Sequence, residues 1–407
     1  MSARDSSEAG WGIRTTAVHA GIDRAARVDP IGPSIVPSVN FAAEWNQIGA
    51  SAAGTDEQVS FVYAREGHPN ATQLEQRLAA LEGAEDAAAF ASGMAAISGV
   101  LGMLLAPGDH LVISDVVYAG TAEYVKGPLA RTGVSYTVAD MADLADVTRS
   151  LRTSTRVIYA ETPCNPIIKL ADVRALASIA HDAGAELIVD STFSTPIISK
   201  PLELGADYVV HSLTKYIGGH GDALGGAVLG AAEPIRRLRR EIGTHLGATL
   251  SPFNAWLIMR GIETLPIRVK AHSESAQTLA SYLASHPAVS RVIYPGLRSH
   301  PQFELAREQM AMFGGMLACS VRNTRTFGDG LASTLRLIRV AASLGATRSV
   351  ILYCDTADLQ RMTFQLDEEH LRRYRTWAGD GVFRVSVGLE DAEDLCDDFA
   401  RALEVAA

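Results

Sequence analysis

The sequence predicts an α/β fold, with a large domain built on a mainly parallel sheet and a smaller α+β domain after it. Three observations lead there. The 407 residues exceed one average domain, and 47% of them are hydrophobic, enough to bury a sizeable core. Between residues 110 and 210, short apolar runs alternate with stretches of helical periodicity, the pattern of a parallel sheet covered on both faces. Composition then changes near Ser251-Pro-Phe-Asn254, where a long helical pattern begins. The expected units are an N-terminal arm over residues 1–65, a large domain over 66–260 and a C-terminal domain over 261–407.

The arm has little periodicity, contains Pro30, Pro33 and Pro37, and includes a polar loop at residues 49–55, so it reads as extended. From Thr72 to Glu82, Leu74, Leu78 and Leu81 recur at helical spacing among charges. Ala87 to Pro107 carries no charge over about the length a bilayer requires. It is rich in Ala, Gly and Ser, however, and a strand, a tight turn at Ser92-Gly93-Met94 and a buried helix account for it better. Strands are expected at residues 110–114, 156–160, 186–190 and 207–210. The stretch from Asp172 to Ala183 reads as a helix through Val173, Leu176, Ile179 and Ala180. Beyond the long helix, residues 290–296, 315–321 and 382–387 supply the apolar segments of the smaller domain.

The net charge of −10 argues against nucleic acid or an anionic membrane surface as the main partner, while leaving room for a local basic site for a small anion. Cys164, Cys319, Cys354 and Cys396 are widely spaced, with no metal-ligand grouping. They read as free thiols in a reducing, cytoplasmic setting. The polar, acidic first ten residues are not a secretory signal. Walker, H-E-x-x-H and G-x-S-x-G motifs are absent, and Gly219 to Gly226 has the wrong spacing for a dinucleotide loop.

The chemistry concentrates at the strand ends, where ligands of such sheets bind. Lys215 follows an apolar run and small hydroxyl residues, Ser212 and Thr214, and precedes glycines. Desolvated there, an ammonium gives up its proton more easily and can condense with an aldehyde as a Schiff base. Asp190 ends another buried run, where a carboxylate can hold a pyridinium nitrogen protonated and make the ring an electron sink. Alone, a lysine after a strand is most often solvated, and an acid there is often a cap or turn residue. Together, in this order, they point to pyridoxal phosphate (PLP).

Other residues fit a phosphate-bearing ring with an alternative beside each. Ser92, Gly93 and Met94 at a helix start are an anion seat or a plain helix cap. Tyr63 and Arg65 are a phosphate-binding pair or a surface pair. Tyr118 stacks on a ring or packs at a strand end. Arg384, inside an apolar strand, requires an anionic partner, either a substrate α-carboxylate or a structural one.

At this point the chain resembles the transsulfuration, or Cys/Met metabolism, family of PLP enzymes, from about Thr15 to Ala402. The resemblance rests on ordered blocks, among them Tyr63-Ala-Arg-Glu-Gly-His-Pro-Asn70, Ala91-Ser-Gly-Met-Ala95, Glu161-Thr-Pro-Cys-Asn-Pro166, Val189-Asp-Ser-Thr-Phe193, His211 to His220, Ser343-Leu-Gly345 and Arg384 to Glu390. It implies the PLP-dependent transferase fold of aspartate-aminotransferase type (fold type I). Lys215 would then carry the cofactor and shuttle protons, Asp190 would pair with the ring nitrogen, Tyr118 would stack and Asn165 would lie near the ring hydroxyl. Ser92, Gly93, Met94, Ser212 and Thr214 would hold the phosphate, with Tyr63 and Arg65 reaching that of a neighbouring subunit. A homodimer would therefore be the minimum active unit, and a homotetramer is expected. Arg384 would bind the carboxylate of an amino-acid substrate, with Ser343 close by.

The reaction implied is γ-elimination on a sulfur amino acid, as in methionine γ-lyases. The alternative is γ-replacement on an O-acylhomoserine. Departures from the family pattern bear on that choice. Methionine γ-lyases carry a cysteine and an aspartate where this chain has Gly120 and Thr244. Cystathionine-handling members usually have a glutamate and many have an arginine where this chain has Ala342 and Glu123. The usual Met-Thr-His block reads Met362-Thr-Phe364.

Overall fold

The computed structural model describes residues 11–21, 31–43 and 61–406, so the polar loop at residues 49–55 lies outside the described residues. Seven strands form the larger sheet: β1 (Asp86–Phe90), β2 (His110–Ser114), β3 (Ser135–Ala139), β4 (Thr155–Glu161), β5 (Glu186–Asp190), β6 (Tyr208–Ser212) and β7 (Gly226–Gly230). Their order is β1-β7-β6-β5-β4-β2-β3. Strands β2 to β6 run parallel, and β7 is antiparallel to both of its neighbours. Successive side chains point to opposite faces. Leu111, Ile113, Val157, Tyr159 and Ile188 enter one core, while Val112, Ile158, Ala160, Leu187 and Val189 enter the other. Burial on both faces is why these runs are continuously apolar in the sequence.

Local chemistry sets the helix ends. Helix Pro69–Glu82 starts with proline at its first position, with His68 Nδ1 accepting from the Asn70 amide, and ends at Gly83 in the left-handed region. Asp172 caps helix Val173–Asp182 by accepting from the Ala175 amide, and Val173, Leu176 and Ala180 are buried as expected. The uncharged segment from Ala87 resolves into β1, a turn and helix Gly93–Leu104. Among the described residues no helix is long and apolar enough to cross a membrane.

A second sheet forms from β8 (Val289–Ile293), β9 (Met316–Val321), β10 (Arg339–Val340), β11 (Val350–Asp355) and β12 (Gly381–Ser386), in the order β10-β11-β12-β9-β8. Helices Leu265–Ser285 and Ala392–Ala406 pack on it around Leu279, Leu283, Phe383 and Phe399. Buried Asp398 accepts from the amides of Arg336, Leu337 and Ile338 at 2.8, 3.0 and 3.0 Å, fixing the chain as it enters β10.

Four strands, β3, β7, β10 and β11, lie where the sequence reading placed none. Residues Ile13–His19 of the arm are helical rather than extended, and Ala17 of this helix is buried.

Candidate active site

The carboxyl ends of the parallel strands β2, β4, β5 and β6 lie at one edge of the larger sheet, and Tyr118, Asn165, Asp190, Ser212 and Lys215 end or follow them. Helix Gly93–Leu104 begins at Ser92, whose hydroxyl accepts from the Ala95 amide at 3.1 Å, so the cap reading is realised. The first turn of a helix also presents free amides to an anion. Two close approaches shape this turn. A Cβ on Gly226 would meet the Ser92 carbonyl oxygen at 2.2 Å, and one on Gly93 would meet the Ser212 side chain at 3.0 Å. Only glycine lets β7 and the end of β6 come this near. Thr214 Oγ1 is bonded to the amide and carbonyl of Gly225, which fixes the loop that carries Lys215.

Asp190, at the end of β5, is 5% exposed. Its Oδ1 accepts from the Thr192 amide and hydroxyl at 3.0 and 2.6 Å, and its Oδ2 accepts from the Tyr159 hydroxyl at 3.2 Å. The turn role is thus present, but it leaves the acid buried without a cation among the described residues within 4.0 Å. Burial raises its carboxyl above the ordinary aspartate range, against the pull of Thr192, His211 and Tyr159. Thr192 Oγ1 also accepts from the Ser212 amide at 2.9 Å, tying the ends of β5 and β6 together.

Glu161, at the end of β4 and in register with Asp190, is the organising residue that the sequence reading did not single out. It accepts from the Tyr118 amide at 2.7 Å and from the Asn165 amide at 2.8 Å, so one buried carboxylate holds both loops in place. Burial, with Asp190 adding, pushes it up to about 8. The usable signal was a second acid ending a buried run. Tyr118 is 47% exposed, and a Cβ on Gly120 would meet its Cε1 at 2.6 Å.

Lys215, Ser343, Arg384 and Asn165 form a continuous chain. Lys215 Nζ donates to Ser343 Oγ at 3.0 Å. Arg384 donates to the Ser343 carbonyl and to Asn165 Oδ1, each at 2.9 Å. Burial, then the nearby Arg384 charge, lowers the Lys215 amine. Ser343 has a φ of 73°, the left-handed region that a serine rarely adopts. Arg384 is 6% exposed, and its Nε has no hydrogen-bond partner among the described residues. No carboxylate among the described residues lies within 4.0 Å of it, which removes the structural-carboxylate reading.

Beneath these loops, Lys169 Nζ bonds both oxygens of Asp115 at 2.9 Å and Asp140 Oδ1 at 2.7 Å, all three residues being buried. Burial pulls this ammonium down, yet the two carboxylates carry it above the ordinary lysine range. Tyr63 and Arg65 are engaged elsewhere. The Arg65 guanidinium lies over the Tyr63 ring and donates to the Thr244 carbonyl at 2.8 Å. Phe364 is buried against Tyr136, with ring centroids 5.6 Å apart, so its departure from the family block is a packing change.

These residues fit PLP on three counts: a buried acid lacking a cation among the described residues, helix-start amides beside small residues, and an amine lowered by burial and by Arg384. Comparisons agree. The model of the Cys/Met metabolism PLP-dependent enzyme family matches residues 14–404. The chain is 39% identical over 395 residues to an L-methionine γ-lyase of Porphyromonas gingivalis, covering 97% of each. It is 40% identical over 392 residues to a cystathionine γ-synthase of Mycobacterium tuberculosis, covering 96% of this chain and 97% of that one. The crystal structure of metB from Corynebacterium glutamicum superposes with a TM-score of 0.87 at 35% identity, covering 98% and 99% of the two chains.

Proposed function

Because the chain belongs to the Cys/Met metabolism family of PLP-dependent enzymes, we propose that it catalyses γ-elimination on a sulfur amino acid, giving a 2-oxo acid, ammonia and a thiol. The observation that carries this reading is the meeting of the Lys215 amine and the Arg384 guanidinium at Ser343. A carboxylate held by Arg384 sets an amino acid's Cα beside an amine able to move its proton. PLP, when bound, supplies the electron sink that stabilises charge at Cα and lets the bond at Cγ break.

The chain's residues do the rest. Lys215, with its amine lowered, takes the proton from Cα and moves protons to the neighbouring carbons. Asp190 would hold a proton on the ring nitrogen, Tyr118 would stack on the ring and Asn165 would lie near the ring hydroxyl. Ser92, Gly93, Met94, Ser212 and Thr214 hold the phosphate, while Tyr63 and Arg65 reach that of the neighbouring subunit. The minimum active unit is then a homodimer, within a homotetramer. Elimination is favoured by the loop from Gly219 to Asp222, which resembles that of γ-lyases. Replacement on an O-acylhomoserine is the second reading, favoured by residues 251–256, which resemble the homoserine-ester sulfhydrylases.

The test is 2-oxobutyrate release from methionine, homocysteine, cystathionine and O-acetylhomoserine, with and without an added thiol. Release from a thioether alone supports elimination, and product only with the thiol moves the reading to replacement. Lys215→Ala abolishes turnover in a folded protein, and full activity in that variant would overturn the mechanism.

A further inference from the structure

A histidine away from the site bridges two carboxylates. His370, in helix Glu368–Ala378, lies with Nδ1 2.9 Å from Asp367 Oδ1 and Nε2 2.9 Å from Asp146 Oδ2. A neutral imidazole has one N–H and one lone pair, so one of the two carboxylates would then face a lone pair. Both bonds form only with the imidazolium. Asp367 begins the same helix and accepts from the His370 amide at 2.9 Å. Asp146 belongs to helix Leu144–Ser150, which packs on β3 of the larger sheet, and its Oδ2 also accepts from the Asp140 amide at 2.9 Å. The ring therefore ties two separate parts of the fold.

Both ends of the tie lead to the active site. Asp140 is bonded to Lys169 at 2.7 Å, and Lys169 follows Asn165 in one loop. On the other side, the helix runs through Gly379 and Asp380 into β12, which carries Arg384. One turn after His370, Tyr374 lines a small cavity together with Val117, Asn165 and Pro166. The Arg384–Asn165 bond at 2.9 Å crosses the same boundary. Arg373 adds a bond to Asp143 at 2.8 Å, whose two charges persist through neutral pH, so the helix stays docked when the His370 tie is lost.

We infer that protonated His370 is a positioning residue for Arg384, holding the helix before β12 against the larger sheet, so that affinity for an amino acid's carboxylate falls as the imidazolium loses its proton. This rests on the reading that Arg384 takes the substrate's α-carboxylate. The charged groups around the ring come from every element packed there. Asp367, Glu369 and Arg373 belong to its own helix, and Asp143, Asp146 and Arg149 to the facing one. Asp115, Asp140 and Lys169 lie beneath, at the ends of β2 and β3 and in the Asn165 loop. Each of these three cations is already bonded to one of the acids, which leaves Asp146 and Asp367 to the imidazolium. Burial pulls the imidazole down, but its bonds to Asp367 and Asp146 carry it above the ordinary 6.5. The tie is complete below about pH 6.5 and is lost as pH rises through the raised value.

The experiment uses full-length, PLP-loaded protein and compares the parent with His370→Gln and His370→Lys. Glycine is the probe, because it carries an α-carboxylate and has no γ-substituent to lose. Its affinity is read from the change in the visible spectrum on titration. Dividing each variant's dissociation constant by the parent's at the same pH cancels the titration of glycine and of Lys215. At pH 6 the His370→Gln ratio is expected to be about 5, the low end of coupling between distinct sites, and it falls towards one by pH 9. His370→Lys keeps its charge to about pH 10. Its ratio starts near one and drops below it at pH 9, where the parent has lost the tie. A His370→Gln ratio that is the same at both pH values, or is below about 2 at pH 6, would overturn the inference. Melting of the same proteins shows where it failed. A Tm gap between parent and His370→Gln that closes with rising pH, without a matching change in affinity, means that the tie exists but never reaches Arg384. A gap that does not close means that the imidazolium tie itself is wrong. If glycine binds none of the three proteins, the carboxylate reading of Arg384 fails and the inference falls with it.

Discussion

Replacing Lys169 with methionine tests how the loops of the site are held. Lys169 is 4% exposed and makes three short bonds to Asp115 and Asp140. Methionine keeps the length and the apolar stem but leaves two buried carboxylates without their cation. Removing one partner of a buried pair costs about 3–5 kcal/mol. Melting entropies near 2.1 cal/mol/K per residue give roughly 0.85 kcal/mol/K for 407 residues. Tm should therefore fall by about 4–6 °C at pH 7 in calorimetry of the PLP-loaded protein. The pH sign follows from Asp115, whose carboxyl burial raises even with Lys169 present. Without the ammonium it takes up a proton more readily when folded than when unfolded. The variant's deficit is then largest at high pH and narrows as pH falls towards 5. A Tm change below about 1 °C, or a deficit that widens on acidification, would refute the argument. Adding Asp115→Asn and Asp140→Asn should recover part of the loss, because no unpaired charge remains buried.

Asp398 is held below the ordinary 3.8 of an aspartate: burial opposes this, but the amides of Ile338, Arg336 and Leu337 prevail. Its stabilisation is complete above about pH 4 and is lost as pH falls through its lowered value, so Asp398→Asn should melt lower than the parent at pH 7 and the gap should narrow as pH falls below about 4. Gly120→Ala places a methyl 2.6 Å from Tyr118 Cε1, an exposed ring edge that can swing away. Its melting should hold while the visible spectrum of bound PLP changes; an unchanged spectrum would show that the ring does not cover the cofactor. Gly226→Ala meets backbone at 2.2 to 2.7 Å, which cannot move aside. It should lose at least the roughly 1–3 kcal/mol of an overpacked core, read by denaturant midpoint.

The parallel core was legible because burial on both faces leaves an unbroken apolar run, as at His110–Ser114 and Glu186–Asp190. The strands that escaped lack that signature. Ser135–Ala139 lies at a sheet edge and is only half-buried over four of its five residues, and Gly226–Gly230 is a glycine-bounded run with one β-branched residue. At the site, Lys215, Asp190 and Arg384 were readable because each places an unusual group in an apolar or glycine-rich setting, whereas Ser343 came only from the family resemblance. Glu161 and Lys169 were not, because their roles come from partners 43 and 54 residues away that only folding brings together.

Ser343 keeps its left-handed backbone through two ties, one to Lys215 and one to Arg384, and both belong to groups that an arriving amino acid would claim. Such a conformation costs about 1–3 kcal/mol and persists only while its surroundings over-determine it. A ligand that engages both groups withdraws both restraints together. Filling the site and relaxing the backbone at residue 343 are then one equilibrium, and the energy released on relaxation adds to the affinity of a ligand that draws away both groups. A ligand that engages only one of them leaves the other tie in place and gains less than its own contacts would indicate.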